Sequence, residues 1–355
     1  MRAQRKNQKK QISIARKPIQ KMRKRKLRNT IFLLAFLILI GGGILFAVYK
    51  FQGNTLKDLP VSYRSENEFT QASAGKTLGR AAGFASDLCV SAQGDVGEDI
   101  AGLAEGQMAA LFDLEEKEVL YAKGLYERVY PASITKLMTG ILAIQSGKLD
   151  ETVEIEQSDL DLEQGSQVCG FMVGDEVTLD QLLRCLLVYS GNDAASAIAR
   201  VVGGSQKGFV KMMNEYAASL GMTGTHFDNP HGLHTEDHYT TPYDIYLMLR
   251  EAARYPVFLE ISQLSTYTFT VRHADETEGI ISLASTDHYL TGEATPPKDV
   301  AVLGGKTGTT SNAGNCLALL TQNAYGKPYI SIVTNASTKE LLYQQMNSLL
   351  QHTND

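Results

Sequence analysis

The chain has 355 residues, 43% of them hydrophobic and 21% charged, enough apolar content for a core, which excludes an intrinsically disordered protein. Its net charge of −5 hides a division: 13 of the 34 Lys/Arg and none of the 39 acids fall in the first 30 residues, leaving 21 bases against 39 acids, or −18, in the remainder. The basic excess therefore belongs to a tail and not to the folded body.

Directly after that tail, residues 31–49 read "IFLLAFLILIGGGILFAVY", an uncharged apolar run long enough to cross a bilayer. The run is longer than the apolar part of a cleaved signal peptide and ends in Tyr49, Lys50, Phe51 and Gln52 without small cleavage-site residues, so it reads as an uncleaved, single-pass signal anchor. With the basic tail of residues 1–30 held inside, everything after residue 50 is expected outside the bacterial cytoplasmic membrane. A nucleic-acid arm is the other reading of the tail. The adjacent span explains the charge more economically, and no nucleic-acid partner is expected.

Residues 50–105 are rich in Gly, Ala, Ser and acids without sustained periodicity and read as a flexible linker. From there the signals become regular and predict one domain over 106–355. "MAALFDL" and "VLYAKG" flank a polar "EEKE" as a hairpin. Helical spacing runs from Ser133 to Gln145 and returns in "TLDQLLRCLLVYS", "DAASAIARVVG", "SQKGFVKMMNEYAASLG" and "TPYDIYLMLREAARY". Near the end, "STYTFTV", "DVAVLGGKTG", "CLALLTQ" and "PYISIVTN" read as strands, and "KELLYQQMNSLL" as a closing amphipathic helix. Strands at both ends with helices between predict a mixed α and β fold whose N-terminal hairpin joins the sheet of the C-terminal strands. The four cysteines, Cys89, Cys169, Cys185 and Cys316, lack zinc-site spacing; buried thiols are expected for Cys185 and Cys316, and sequence cannot choose among three pairings.

Three short stretches carry chemistry. In "YPASITKLMTG", Ser133 stands three residues before Lys136, so the two share a helix face. A serine there suits a helix start, but a lysine in a first turn opposes the helix dipole. That placement favours the neutral amine, which can take a proton from a serine hydroxyl. S-x-x-K alone means little, since "SAGK" at Ser73–Lys76 repeats it in the linker. Downstream, "YSGNDAA" puts Ser190 and Asn192 in a turn between helices, and "LGGKTGTT" puts Lys306, Thr307 and Gly308 on a strand whose glycines admit a close ligand backbone. Taken singly, each has a bland reading as a cap, a turn or a hairpin. Together and in this order they do not.

"PASITKLMT", "SGNDAA" and "KTG" resemble the S-x-x-K, S-x-N and K-T-G motifs of penicillin-binding proteins and serine β-lactamases. The flanking "FDNPHGL", "YTTPYDI" and "KTGTTSNAGNCLAL" are similar to the low-molecular-mass D-alanyl-D-alanine carboxypeptidases, with the likeness running from about Gln107 to the C-terminus. This resemblance implies a β-lactamase/transpeptidase-like domain, stem peptides ending in D-Ala-D-Ala as substrate, β-lactam antibiotics as ligands, and no metal or organic cofactor. It further implies Ser133 as nucleophile, Lys136 as general base, Ser190 as proton relay and Asn192 holding Lys136 or the substrate amide. Lys306, Thr307, Gly308 and Thr309 would bind the substrate carboxylate or line the site, with the backbone N–H groups of Ser133 and Thr309 as oxyanion hole.

Relatives often carry an arginine beyond the K-T-G strand; here none follows Arg272, and Lys339 is the available substitute. His231, His234 and His238 lie close together but lack H-E-x-x-H, so a zinc peptidase is disfavoured. A class A β-lactamase is disfavoured by S-G-N in place of S-D-N. An endopeptidase acting on cross-links, and a penicillin-binding sensor that does not turn over, are the remaining alternatives.

Overall fold

A computed structural model describes residues 87–354; the expected anchor at 31–49 and the first part of the linker lie outside the described residues. A five-stranded antiparallel sheet, ordered β2-β1-β9-β8-β7, organises the fold. Its strands are β1 (Met108–Asp113), β2 (Glu118–Lys123), β7 (Val300–Thr310), β8 (Gly314–Asn323) and β9 (Pro328–Ala336). The N-terminal hairpin joins the C-terminal strands as its sequence predicts, with β1 pairing β9 from Met108–Thr334 to Asp113–Tyr329.

Alternation along these strands shows why their sequences read as nearly unbroken apolar runs. Ala110, Phe112, Ala318, Leu320, Ile330 and Ile332 point into one core, whereas Ala109, Leu111, Leu317, Leu319 and Val333 point into a second one on the opposite face. Successive side chains leave a strand on opposite sides, so a sheet covered on both faces needs apolar residues at every position.

The larger core is closed by helices α1 (Lys136–Gln145), α2 (Leu179–Arg184), α3 (Asn192–Gly203), α4 (Gln206–Ser219), α5 (Pro242–Ala252) and α6 (Pro256–Ser262). The smaller core is closed by α7 (Lys339–Gln351), which lays Leu342, Met346, Leu349 and Leu350 on the sheet. Capping sets where several helices begin. Thr241 accepts from the Asp244 backbone N–H at 3.1 Å with Pro242 in the first turn of α5, and Thr338 accepts from Leu341 at 3.1 Å before α7.

Two features differ from the sequence expectation. A second antiparallel sheet, ordered β3-β4-β5-β6, joins β3 (Thr152–Glu154), β4 (Glu176–Thr178), β5 (Thr266–Arg272) and β6 (Glu278–Ala284), so "STYTFTV" belongs to this sheet and not to the central one. Among the described residues, packing also extends into the stretch 87–105 that composition assigns to the linker. The Cys89 N–H donates to the Tyr246 hydroxyl at 2.9 Å, Val96 bridges Ala122, and Ala101 and Leu103 enter the smaller core. The Asp99 carboxylate holds this stretch by accepting from the N–H groups of Ala101, Gly102 and Leu103, a local turn that leaves no hydrophobic period to read.

Candidate active site

The turn into α1 is built from residues 131–136. Ser133 sits in a 3-10 turn, Ala132–Thr135, and Lys136 opens α1. The expected continuous helix from Ser133 is thus two helix types in series. Ser133 makes no capping bond; its hydroxyl accepts from Lys136 Nζ at 2.9 Å. Ala132 holds φ at 46°, a conformation that costs a non-glycine residue about 1 kcal/mol or more and is found where a fold fixes a functional group.

Lys136 is fully buried. Its Nζ also donates to Asn192 Oδ1 at 2.6 Å and to the His231 carbonyl at 2.7 Å. Burial, and then the nearby Lys306 cation, hold its pKa well below the usual lysine range, against the pull of Cys169 and Asp193. Burial and the like charge of Lys306 favour the neutral amine against its three acceptors, and in that form its lone pair can receive the Ser133 proton.

Ser190 and Asn192 arrive on a different local device. After α2 the chain widens into a π-helical turn, Cys185–Tyr189, and closes with Ser190 in the left-handed region at φ 71°. The N–H groups of Ser190 and Gly191 both return to the Cys185 carbonyl, and Asn192 then starts α3. Such turns insert an extra residue into a helix and re-aim the residues C-terminal to it. Here they turn Ser190 toward the K-T-G strand, where its Oγ accepts from Lys306 Nζ at 3.0 Å.

On β7, Lys306 is 2% exposed and also donates to the Thr307 carbonyl at 3.0 Å. Burial lowers its pKa to about 7, opposed by the charge of Asp287. Thr307 bonds Thr286 through their hydroxyls at 2.6 Å, and the Thr309 hydroxyl donates to Asn315 Oδ1 at 3.2 Å. Gly308 lets β7 lie against the Ser133 turn: a Cβ there would stand 2.9 Å from the Pro131 carbonyl oxygen and 3.1 Å from the Ser133 nitrogen.

A cleft of about 360 Å³ is lined by Ser133, Ser190, Asn192, Thr307, Gly308, Thr309 and Lys339, with the buried Lys136 and Lys306 bonded to its two serines. The histidine segment forms one wall. His238 accepts from the Asp228 N–H on Nδ1, which leaves Nε2 to donate to Thr135 Oγ1 at 2.7 Å, so both ring nitrogens are engaged. Burial first, then the charges of Lys136 and His238, push His231 down to about 3, and its neutral Nδ1 accepts from Leu233. The four cysteines are unbridged and buried. Several groups at or next to the cleft carried no sequence signal, because each acts through a fold contact and not through a motif. They include the Gln167 loop, whose carbonyl accepts from the Asn192 N–H at 2.8 Å, and Asp287 near Lys306.

Comparison with known proteins points the same way. A family model described as D-alanyl-D-alanine carboxypeptidase, peptidase S11, matches residues 99–338. D-alanyl-D-alanine carboxypeptidase DacF of Bacillus subtilis is 32% identical over 249 residues, covering 69% of this chain and 61% of that relative. The chain thus spans about three-fifths of that relative's length. A D-alanyl-D-alanine endopeptidase of Pseudomonas aeruginosa is 32% identical over 222 residues, covering 62% of this chain and 67% of its own. The solved Streptomyces K15 DD-transpeptidase superposes with a TM-score of 0.64 at 25% identity, covering 69% of this chain and 95% of that one. With the S-x-x-K, S-x-N and K-T-G segments meeting in one cleft inside the matched range, the chain belongs to the peptidase S11 family of D-alanyl-D-alanine carboxypeptidases.

Proposed function

We propose that the protein removes the terminal D-alanine from peptidoglycan stem pentapeptides through an acyl-enzyme on Ser133, and that β-lactams acylate the same serine. One observation carries the reading above the others. Lys136 Nζ is buried, held off its usual pKa and 2.9 Å from Ser133 Oγ, the arrangement a general base for a serine nucleophile requires.

In this mechanism Lys136 takes the Ser133 proton as Oγ attacks the carbonyl between the two D-alanines. Asn192 keeps the amine aimed at the serine. The oxyanion is received by the backbone N–H groups of Ser133 and Thr309, which the close approach at Gly308 brings toward each other. Ser190, bonded to Lys306, passes a proton to the departing D-alanine amine. Lys306 with Thr307 and Thr309 receives the terminal carboxylate, and Lys339 at the cleft wall supplies the charge that relatives place on an arginine. Water then releases the shortened peptide. We further propose that residues 31–49 anchor the chain in the cytoplasmic membrane with the domain outside, where cross-linked wall is found.

The test is to incubate the purified protein with a pentapeptide ending in D-Ala-D-Ala and, separately, with a cross-linked muropeptide dimer. Free D-alanine from the first without cleavage of the second is the expected result. Cleavage of the dimer at comparable rate would replace the carboxypeptidase reading with an endopeptidase one, the activity named for the Pseudomonas relative. Ser133→Ala is expected to lose labelled-penicillin binding and at least about 10³-fold in D-alanine release. Retention of both would overturn the mechanism.

A further inference from the structure

We infer that Asp193 is a positioning residue for the reaction: its carboxylate fastens the cleft-lining loop Gly165–Gly170 to the first turn of α3 and so holds the Asn192 amide on Lys136. The inference rests on the proposed acylation of Ser133, in which Lys136 is the base. Asp193 is 1% exposed, and both its oxygens are taken by backbone N–H groups. Oδ2 accepts from Cys169 at 2.7 Å and from Gly170 at 3.3 Å, 24 and 23 residues earlier in the chain, while Oδ1 accepts from Ala194 at 2.9 Å.

The loop returns a bond in the opposite sense, since the Gln167 carbonyl accepts from the Asn192 N–H at 2.8 Å. Asn192 as donor and Asp193 as acceptor are thus each tied to the loop, and this two-point joint fixes the rotation of the helix start. Gly191 makes room for it, because a Cβ there would run into Cys169 Sγ and stand 2.8 Å from Asp193 Oδ1. An aspartate that only complements the dipole of α3 needs no partner outside the helix. This one gives an oxygen to a loop that lines the cleft through Gly165, Ser166 and Gln167.

The joint bears on the reaction through one side chain. Asn192 Oδ1 lies 2.6 Å from Lys136 Nζ, itself 2.9 Å from Ser133 Oγ, so a displaced α3 turn changes the aim of the base. Charge adds a second link. Burial and the Lys306 cation hold Lys136 toward the neutral amine, and the Asp193 carboxylate opposes them. The other titratable groups facing that amine are Cys169 on the loop and His231 and His238 on the histidine segment. Exchanging the Asp193 carboxylate for an amide keeps its shape and removes the opposition, which drives the Lys136 pKa further down.

The experiment compares D-alanine release by the full-length parent, Asp193→Asn and Asp244→Asn from pH 4 to 9, each with a thermal melt. Asp244 is the control, a carboxylate 3% exposed that accepts from the Gly224 N–H at 2.9 Å and the Thr225 hydroxyl at 2.7 Å, outside the cleft lining. Asp193→Asn is expected to lose roughly 10–100-fold in kcat with KM within about 3-fold, and to move the acid limb of kcat/KM toward lower pH. Asp244→Asn is expected to keep the parent's acid limb and kcat within about 3-fold, whatever Tm it loses. An unmoved acid limb in Asp193→Asn, or equal kcat losses in the two variants, would overturn the inference. Hydrogen exchange on the parent without substrate tests the joint itself: the Cys169, Gly170 and Asn192 amides are expected to be protected like those within α3, and exchange at open-loop rates would also overturn it. A parent that neither releases D-alanine nor binds labelled penicillin would overturn the peptidase reading instead, and the exchange result then judges the joint alone.

Discussion

Lys136 and Lys306 are two lysines buried in one site, and the fold accepts them because each is given acceptors and permission to lose its proton. The sign of their effect on stability is set by linkage. Lys306 has a pKa of about 7 when folded and 10.5 as an ordinary lysine. Between those values the unfolded chain binds the extra proton, so stability rises with pH across that interval, and below pH 7 the folded state carries the full cost of a buried cation. Lys306→Met is therefore expected to raise Tm relative to the parent most at pH 6, with the difference narrowing toward pH 10, while D-alanine release falls at every pH. Thermal melts across pH 6–10 check this, and a difference that grows with pH would contradict the burial argument. At this scale the sequence was legible where a residue type was out of place. A lysine in a first helical turn is a local fault, and that fault pointed to Lys136. Nothing comparable marked Asp287, whose buried carboxylate is ordinary helix-cap chemistry locally, with its Oδ1 accepting from Tyr289, and matters to Lys306 only through the fold.

Elements bring these residues together by close approach more than by strong bonds. The Ser133 turn lies between β7 and the histidine loop, where Gly308 faces the Pro131 carbonyl and a Cβ on Gly232 would run into the Ala132 carbonyl. The strained Ala132 is thereby held from two sides. Gly308→Ala is expected to displace β7 from Ser133 by a few tenths of an ångström, enough to loosen oxyanion geometry, and to lower kcat/KM for the pentapeptide by roughly 10–100-fold while the fold remains intact. Steady-state kinetics with a parallel melt check it; unchanged kcat/KM would show that the contact does not set the site. Helices and central strands were readable from periodicity because each presents a regular apolar face. The π-helical turn at Cys185–Tyr189 was not, since one added residue inside "RCLLVYS" leaves an apolar run looking like any helix end. The second sheet was missed for a related reason. Its strands β3 and β4 are three residues long, too short to show a period.

For the whole molecule, the active site lies where helices of the large core meet the β7 edge of a sheet whose other face is sealed by α7. That arrangement makes the stretch before β1 part of the folded body. Cys89 packs in the large core and bonds Tyr246, Ala101 and Leu103 enter the small one, and Asp87 pairs with Arg250 at 2.7 Å. The ion pair is exposed on the Asp87 side and adds little. The three buried side chains, each losing roughly 1–2 kcal/mol of burial if removed, together amount to a large share of the 5–15 kcal/mol that holds a typical domain. A chain shortened to begin at residue 87 keeps these contacts. One beginning at 106, at the boundary composition suggested, is expected to lose several kcal/mol and to expose the outer edge of the sheet around Tyr121 and Ala122. Denaturant unfolding of the two shortened chains decides the matter. Equal midpoints would return residues 87–105 to the linker that their Gly-rich, aperiodic sequence resembles, whereas a lower midpoint for the shorter one makes them the first packed layer of the domain.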